Sequence, residues 1–434
     1  MDTLEIALLL SGLLVFLLAG GMWIAVALGL VAWVGVAFFT RTKPEINIVT
    51  SLWNTGSALQ LASLPLFIWM GEILYRTRLS EQMFAGLSPW LNWLPGRLMH
   101  VNVLGCGIFG AVSGSSAATT ATIAKIALPE LKRRGYHEGT ALGSLSGAGT
   151  LGILIPPSIT MVVYAVAADV SIVRIFLAGF IPGFLLMALF SGYIIVWSLL
   201  NPALTPPADP PMPLAAKLAA SKQLIPVLLL TFLVFYVLIA GLATANEAAA
   251  YGVLGALILA GASGSLTWKN FWASVSGASR LSCMIMFILG AAAFLSVTMG
   301  FTGIPKALAE WVAGMNLSPY TLMAMLTLIY VLLGTALDGV SMIVLTTSIV
   351  IPMVQKAGFD PVWFGIFIVL LVEIAEVTPP VGFNLFVLQN MSGRDSMTVA
   401  RASLPFFFLM VFAVGLIIVF PGIVTWLPQV VMGK

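Results

Sequence analysis

A pair of adjacent prolines, Pro156 and Pro157, lies inside an apolar stretch that covers residues 140–168. Proline has no N–H group, so the carbonyl oxygens of Gly152 and Ile153 lose their helical hydrogen-bond donors and the helix breaks. An unpaired carbonyl is costly in lipid unless it faces protein groups, a polar cavity or a cation. The pair therefore predicts a broken transmembrane helix beside a functional site.

A second pair, Pro379 and Pro380, interrupts the apolar stretch 361–391 in the same way. Here the carbonyl oxygens that lose their helical donors belong to Ala375 and Glu376. Two interrupted helices at corresponding places in two halves of a chain are typical of the binding site of a secondary transporter.

The composition indicates a membrane protein. Of the 434 residues, 60% are hydrophobic and 8% are charged, whereas roughly a quarter are charged in a soluble protein. Apolar runs of about 20 residues recur from end to end, so we expect an all-α polytopic membrane protein. The sequence contains no nucleotide-binding loop, metal-ligand cluster or nucleophile–base pair, so an enzyme is not expected.

The helix-breaking residues repeat with one constant shift of 223 positions. Under this shift five features coincide: Pro129 with Pro352, Gly135 with Gly358, Pro156–Pro157 with Pro379–Pro380, Pro182 with Pro405, and the small residues 113–116 with 336–339. Helix-breaking residues that recur at a constant spacing indicate two structural repeats.

Each repeat contains a segment with the features of a re-entrant hairpin. In the first, 12 of the 13 residues from 110 to 122 are Gly, Ala, Ser or Thr, and basic residues flank the segment on both sides. Because cytoplasmic loops are enriched in Lys and Arg, both flanks are expected inside, with the tip near residues 113–115. The remaining spans then place the second tip, near Asp338 and Gly339, at the opposite face, and both termini in the periplasm.

Three segments carry a likeness to a known family: GAVSGSSAATT at 110–120, PEL at 129–131 and GILIPPS at 152–158. In these motifs, and in length and motif order, the chain resembles the large membrane subunit of tripartite ATP-independent periplasmic (TRAP) transporters. The resemblance implies an inverted-repeat, elevator-type, sodium-driven importer of organic anions (dicarboxylates or sugar acids) in the bacterial inner membrane. It also implies two partners, a small four-helix membrane subunit and a periplasmic substrate-binding protein.

Two Na⁺ sites are predicted where the hairpin tips meet the broken helices, because unwound backbone and half-helix ends supply hard oxygen ligands. The first set is Ser113, Gly114, Ser115, Gly152, Ile153, Ile155 and Pro157. The second set is Gly334, Asp338, Gly339, Ala375, Thr378 and Val381. The alternative for the small residues alone is that they let helices pack closely.

Polar residues near the breaks are the candidates for substrate contacts: Ser116, Thr119, Thr150, Ser158 and Asn384. No arginine lies at either tip, so the N-termini of the half-helices are expected to provide the positive potential for an anion. Asp338, Glu373 and Glu376 lie in apolar surroundings, where acidic residues are functional by default. The alternative is that these carboxyl groups cap helices or reach water.

The expected transport domain comprises residues 97–170 and 320–392, each with a hairpin and a broken helix. Residues 1–96, 171–319 and 393–434 are expected to form the scaffold and its connections. Within the scaffold, 46–59 and 268–279 are predicted as amphipathic interfacial helices, 281–299 as a separate span and 300–319 as a loop.

Two other functions remain open from the sequence. A stand-alone Na⁺/anion symporter of similar fold would need no small helical subunit. A non-transporting membrane scaffold subunit would show no dependence on Na⁺.

Overall fold

The computed structural model describes residues 3–77, 79–207, 210, 212–222, 224–315, 317–335, 337–379 and 382–433. Throughout these ranges the regular secondary structure is helical. Of the residues discussed above, Ala336, Pro380 and Val381 lie outside the described part.

The first repeat and the connection that follows it contain the helices α1 Thr3–Ala19, α2 Ile24–Phe39, α3 Pro44–Gly56, α4 Ser63–Tyr75, α5 Leu79–Leu91, α6 Leu98–Ser113, α7 Ser116–Arg133, α8 Glu138–Leu154, α9 Ile159–Ala167, α10 Ile172–Leu200 and α11 Leu214–Ser221. The second repeat contains α12 Ile225–Ile239, α13 Ala245–Ala262, α14 Trp268–Thr302, α15 Ile304–Gly314, α16 Pro319–Gly334, α17 Gly339–Lys356, α18 Pro361–Glu376, α19 Phe383–Ser392, α20 Ser396–Val419 and α21 Gly422–Met432.

Several helices are suited to crossing a membrane. Among the described residues, five helices (α10, α13, α14, α17 and α20) are long and apolar enough, and the number reaches eight if each of three bent helix pairs is one span. The prediction of an all-α polytopic membrane protein is therefore confirmed.

The two repeats are visible in the positions of the helices. A shift of 223 residues carries both ends of α7 onto the ends of α17, and it carries the first residue of α8 onto the first residue of α18. Gly135 and Gly358, which correspond under the shift, both have positive φ, at 76° and 88°. Glycine adopts this conformation without a steric penalty, so the same breaker ends the same helix in each repeat.

Both predicted hairpin tips are present. Between α6 and α7, Gly114 has φ 62° and Ser115 caps α7 by accepting a hydrogen bond from the N–H of Ala118. Between α16 and α17, Asp338 caps α17 and accepts a hydrogen bond of 3.2 Å from the N–H of Ser341. Each cap provides an acceptor for an N–H group that has no partner within the helix.

Both predicted broken helices are also present. The axes of α8 and α9 differ by 44° across the break at the first proline pair, and the buried Ser158 caps α9. In the second repeat α18 ends at Glu376 and α19 begins at Phe383.

The second repeat departs from the prediction at two places. Residues 268–279 and 281–299 were predicted as separate elements, but they form the single 35-residue helix α14. No proline occurs between its ends. Gly277, a weak helix former, packs directly against the carboxyl group of Glu72 on α4 and stays within the helix. The helix ends at Gly303, which has positive φ. The predicted loop 300–319 contains α15, whose first residue, Ile304, is buried.

One group of helices packs around α14. The helices α2, α3 and α4 contact α14, and α13 contacts α4. Two hydrogen bonds join these helices: the Trp69 indole N–H donates to Ser274 Oγ at 3.2 Å, and Thr298 Oγ1 donates to the Ala32 carbonyl oxygen at 3.3 Å. We call α1–α4 and α12–α14 the outer group.

A second group packs around the broken helices. The hairpin α6–α7 contacts α8, the hairpin α16–α17 contacts α18, and α17 and α19 cross over to contact α9 and α7 of the other repeat. At one end of this group Arg394 forms a double hydrogen bond with Glu138, at 2.9 and 2.6 Å, and this partner lowers the pKa of the exposed Glu138 carboxyl group. We call α6–α9 and α16–α19 the inner group.

Candidate functional site

A cavity of about 240 Å³ lies where both hairpin tips and both helix breaks meet. Its lining comes from five places: Gly114, Ser115 and Ser116; Ile153, Ile159 and Thr160; Gly334, Asp338 and Gly339; Ala375, Glu376, Gly382 and Phe383; and Leu281, Met284 and Ile285 of α14. The inner group therefore forms most of the cavity, and α14 of the outer group closes one side.

The first hairpin tip rests on the first helix break with no room for a side chain at the contact. A Cβ atom on Gly152 would lie 2.7 Å from the carbonyl oxygen of Ser115 and 2.6 Å from Thr119 Oγ1. A Cβ atom on Gly114 would lie 3.0 Å from the carbonyl oxygen of Pro157. These glycines allow backbone oxygen atoms of the tip and of the break to approach one another.

The first predicted Na⁺ set is thus gathered in one place. In the described part of the chain no N–H group donates to the carbonyl oxygens of Gly152 or Ile153, as expected next to two prolines. Ser113 Oγ lies 2.7 Å from Thr119 Oγ1 and 3.3 Å from the carbonyl oxygen of Ser115. The N–H group of Ile155 donates to the carbonyl oxygen of Leu151, and its side chain packs against Gly107 and Gly183.

The second predicted set is gathered in a similar way. Gly334 packs against the side chain of Ala375, and Gly339 packs against Val372. The carbonyl oxygen of Ala375 is not free of protein donors, because it accepts the N–H of Thr378 at 3.1 Å. A carbonyl oxygen has two lone pairs, so a cation could still share it. Val381 lies outside the described residues.

Among the described residues, no group of three His, Cys, Asp or Glu side chains is arranged to hold a metal ion. The candidate ligands for a cation here are backbone carbonyl and hydroxyl oxygen atoms together with the side chain of Asp338. Such hard oxygen donors suit small cations that are not transition metals.

Of the predicted substrate residues, Ser116 lines the cavity and four lie behind it. Ser116 Oγ donates to Asn384 Oδ1 at 2.9 Å, and the Asn384 amide donates to the carbonyl oxygen of Ser146 at 3.2 Å. Thr150 donates to the carbonyl oxygen of Gly147. Thr119 bonds Ser113 and Ser158 caps α9, as described above. The two bonds of Asn384 connect the repeats, whereas the bonds of Thr150, Thr119 and Ser158 lie within the first repeat.

The acidic residues differ in their surroundings. Asp338 and Glu376 line the cavity, whereas Glu373 is completely buried one helical turn earlier on α18, and neither of its carboxyl oxygens has a hydrogen-bond partner among the described residues. No Lys, Arg or His side chain occurs among the described residues that line the cavity. The cavity is therefore acidic.

The residues that α14 contributes were not foreseen from the sequence. Leu281, Met284 and Ile285 are ordinary apolar residues of a membrane helix. They lie within about one helical turn of one another on the same face of α14. The sequence does not indicate which face of this helix meets the hairpins.

Helix ends of opposite polarity meet at this cavity. The N-termini of α7, α9, α17 and α19 lie beside the C-termini of α6, α8, α16 and α18. The partial positive charge of the N-termini favours anions, and the carbonyl oxygens of the C-termini favour cations. Paired hairpins and broken helices of this kind define the ligand-binding core of a secondary transporter.

Comparison with known proteins identifies the family. The family described as "Tripartite ATP-independent periplasmic transporter, DctM component" matches residues 11–423. The C4-dicarboxylate TRAP transporter large permease protein DctM of Pseudomonas aeruginosa is 31% identical, over 88% of each chain, and the protein of that name from Rhodobacter capsulatus is 30% identical, over 98% of this chain and 99% of the relative. The chain belongs to the DctM family and is the large permease subunit of a TRAP transporter, and hence it is not an enzyme.

The fold is shared with more distant transporters. The Alcanivorax borkumensis YdaH transporter superposes with a TM-score of 0.62 at 14% identity, covering 87% of this chain and 89% of that one. At this level of identity the likeness concerns the fold alone.

Proposed function

We propose that this chain is the membrane-spanning carrier of a Na⁺-coupled, binding-protein-dependent importer of organic acid anions in the bacterial inner membrane. The observation that carries the proposal is a cavity at which two hairpin tips, two helix breaks and helix ends of both polarities meet. Such a site can bind a cation and an anion side by side and thereby couple their movements.

The oxygen atoms near the first break support the assignment of a Na⁺ site. The unpaired carbonyl groups of Gly152 and Ile153 need a partner in the membrane, and the Ser113 hydroxyl and the Ser115 carbonyl lie beside them. A small hard cation satisfies all of these groups at once. The symmetric arrangement around Asp338 and Ala375 supports a second Na⁺.

The packing supports an elevator in which the inner group moves against the outer group. It also favours a larger moving unit than the sequence predicted, because α10 and α20 are interlocked with the broken helices. Gly143 of α8 packs against the backbone of Ala402 on α20, and Gly179 of α10 lies close to Leu154 and Met161. Since close-packed interiors shift as units, we propose that α10 and α20 travel with α6–α9 and α16–α19.

Removing Na⁺ is the direct test of coupling. With this permease, its small subunit and its binding protein in proteoliposomes, replacing an inward Na⁺ gradient by choline is expected to reduce uptake to background. If more than one Na⁺ accompanies each monovalent anion, uptake also moves net positive charge inward and responds to a membrane potential. Equal uptake in choline buffer would rule out Na⁺ coupling.

We expect this chain alone to transport at no more than background rate. The outer group presents few helices as a fixed scaffold, and both α1–α2 and α12–α13 expose large apolar side chains, Phe16, Phe38, Phe232 and Leu254 among them. A four-helix partner subunit would extend this surface, and a periplasmic protein would deliver the anion. Full uptake of free substrate by the purified chain would instead favour a stand-alone symporter.

A further inference from the structure

The charge of the cavity restricts the anions that it can accept, provided that the proposed transport function holds. Asp338 and Glu376 both line the cavity, and among the described lining residues no basic side chain opposes them. The two acids differ in their hydrogen bonds. Asp338 has partners within its own helix, because its carboxyl oxygens accept hydrogen bonds from the N–H and the hydroxyl group of Ser341.

Glu376 is the acid with an unmet hydrogen-bonding requirement. Its Oε2 atom is buried and has no donor among the described residues. The Ser116 hydroxyl lies near the carboxyl group, but its single hydrogen is donated to Asn384. Glu376 is the last residue of α18, where the negative end of the helix adds to its charge. Glu376 also lines the cavity, so a ligand bound there can donate hydrogen bonds to its carboxyl group.

The charges in the site can be compared for different substrates. Asp338 and Glu376 line a cavity in which no described lining residue is basic, so a substrate with two carboxylates meets more electrostatic repulsion there than a substrate with one. Like charges repel strongly where water is excluded. The end of a substrate that meets Glu376 should therefore donate hydrogen bonds, as a hydroxyl group does, and should not carry a second carboxylate.

The N-terminus of α19 is a suitable place for the carboxylate end of a substrate. Ser115, Ser158 and Asp338 cap α7, α9 and α17 with their side chains, whereas Gly382 leaves α19 without a side-chain cap. A substrate carboxylate can take that role. Between the two ends, Phe383 and Met284 present apolar surface and are about half exposed, at 52% and 50%.

We propose that this site takes polyhydroxy monocarboxylates, the sugar-acid class, in preference to dicarboxylates, and that Glu376 determines this choice by accepting hydrogen bonds from substrate hydroxyl groups. The proposal separates the two substrate classes that the sequence left together. It concerns the permease site itself and not the binding protein that delivers the substrate.

The test measures direct binding to the purified permease with its small subunit, at saturating Na⁺, with D-gluconate and succinate as probes in isothermal titration. Wild-type protein is expected to bind gluconate at least about tenfold more tightly than succinate. Glu376→Gln keeps the size of the side chain and removes its charge, so the gluconate preference should shrink about tenfold. Glu373→Gln makes the same change one turn away, outside the cavity lining, and should leave the ratio of the two affinities unchanged.

Three results would overturn the proposal: tighter binding of succinate by the wild type, no binding of gluconate, or an unchanged ratio in Glu376→Gln. Thermal unfolding of each variant shows whether it is folded. The ratio of the gluconate affinity to the succinate affinity is calculated separately for each variant and only when that variant is folded. Sodium-dependent uptake with the native binding protein is measured in parallel. If that uptake persists while succinate is preferred, the sugar-acid inference fails and the transport function stands.

Discussion

Joining Met284 of α14 to Phe383 of α19 through a reducible cross-link is expected to stop uptake, and reduction is expected to restore it. Both side chains line the cavity and are about half exposed, so cysteines at these positions are open to a bifunctional thiol reagent. Met284 belongs to the outer group and Phe383 to the inner group. If the inner group slides as a body, this link fixes the two groups relative to each other and the cycle cannot proceed.

The control links two elements that should move together. Glu138 and Arg394 form an exposed ion pair between α8 and the loop after α19, and cysteines there should tolerate the same cross-link with most of the uptake retained. Ion pairs exposed to solvent contribute little to stability, so losing this one should leave the fold intact. The exposed Cys283 is first replaced by serine.

A second control separates blockage of the cavity from loss of movement. A monofunctional reagent of the same arm length, attached to either cysteine alone, fills similar space without joining the groups. If this reagent stops uptake as completely as the cross-link, occlusion explains the result. If the inner-group link abolishes transport and the link to α14 does not, a rocking or gating movement must replace the elevator.

Gly152→Ala is expected to lower the apparent Na⁺ affinity by about tenfold or more and to reduce uptake accordingly. The added methyl group would lie 2.6 Å from Thr119 Oγ1 and 2.7 Å from the carbonyl oxygen of Ser115, so the hairpin tip must move away from the helix break. The oxygen atoms of the first Na⁺ set would then separate. Uptake measured over a range of Na⁺ concentrations, with protein amount and thermal stability measured alongside, reports the change.

Gly105→Ala makes the same chemical change on α6 of the same hairpin. Its methyl group would meet Ile123 at 3.7 Å, an ordinary contact, so the Na⁺ dependence should be close to that of the wild type. If Gly152→Ala also keeps the wild-type Na⁺ dependence while remaining folded, the first hairpin tip does not belong to a Na⁺ site.

The sequence by itself determined where the helices of the inner group begin and end. The proline pairs remove N–H groups from their own helices, and Gly114, Gly135 and Gly358 supply positive φ angles where a helix stops. These effects act on the local backbone and do not depend on distant residues. The repeat, the two hairpins and the two broken helices could therefore be predicted correctly.

Only the tertiary structure decided which faces of these helices meet. Asn384 and Glu376 both flank the second break, yet Ser116 and Ser146 of the first repeat hold Asn384 behind the wall, whereas Glu376 lines the cavity. The continuity of α14 was decided in the same way, with Gly277 against Glu72 of α4. A local breaker fixes where a helix ends, but its rotation and its neighbours follow from packing against residues far away in the sequence.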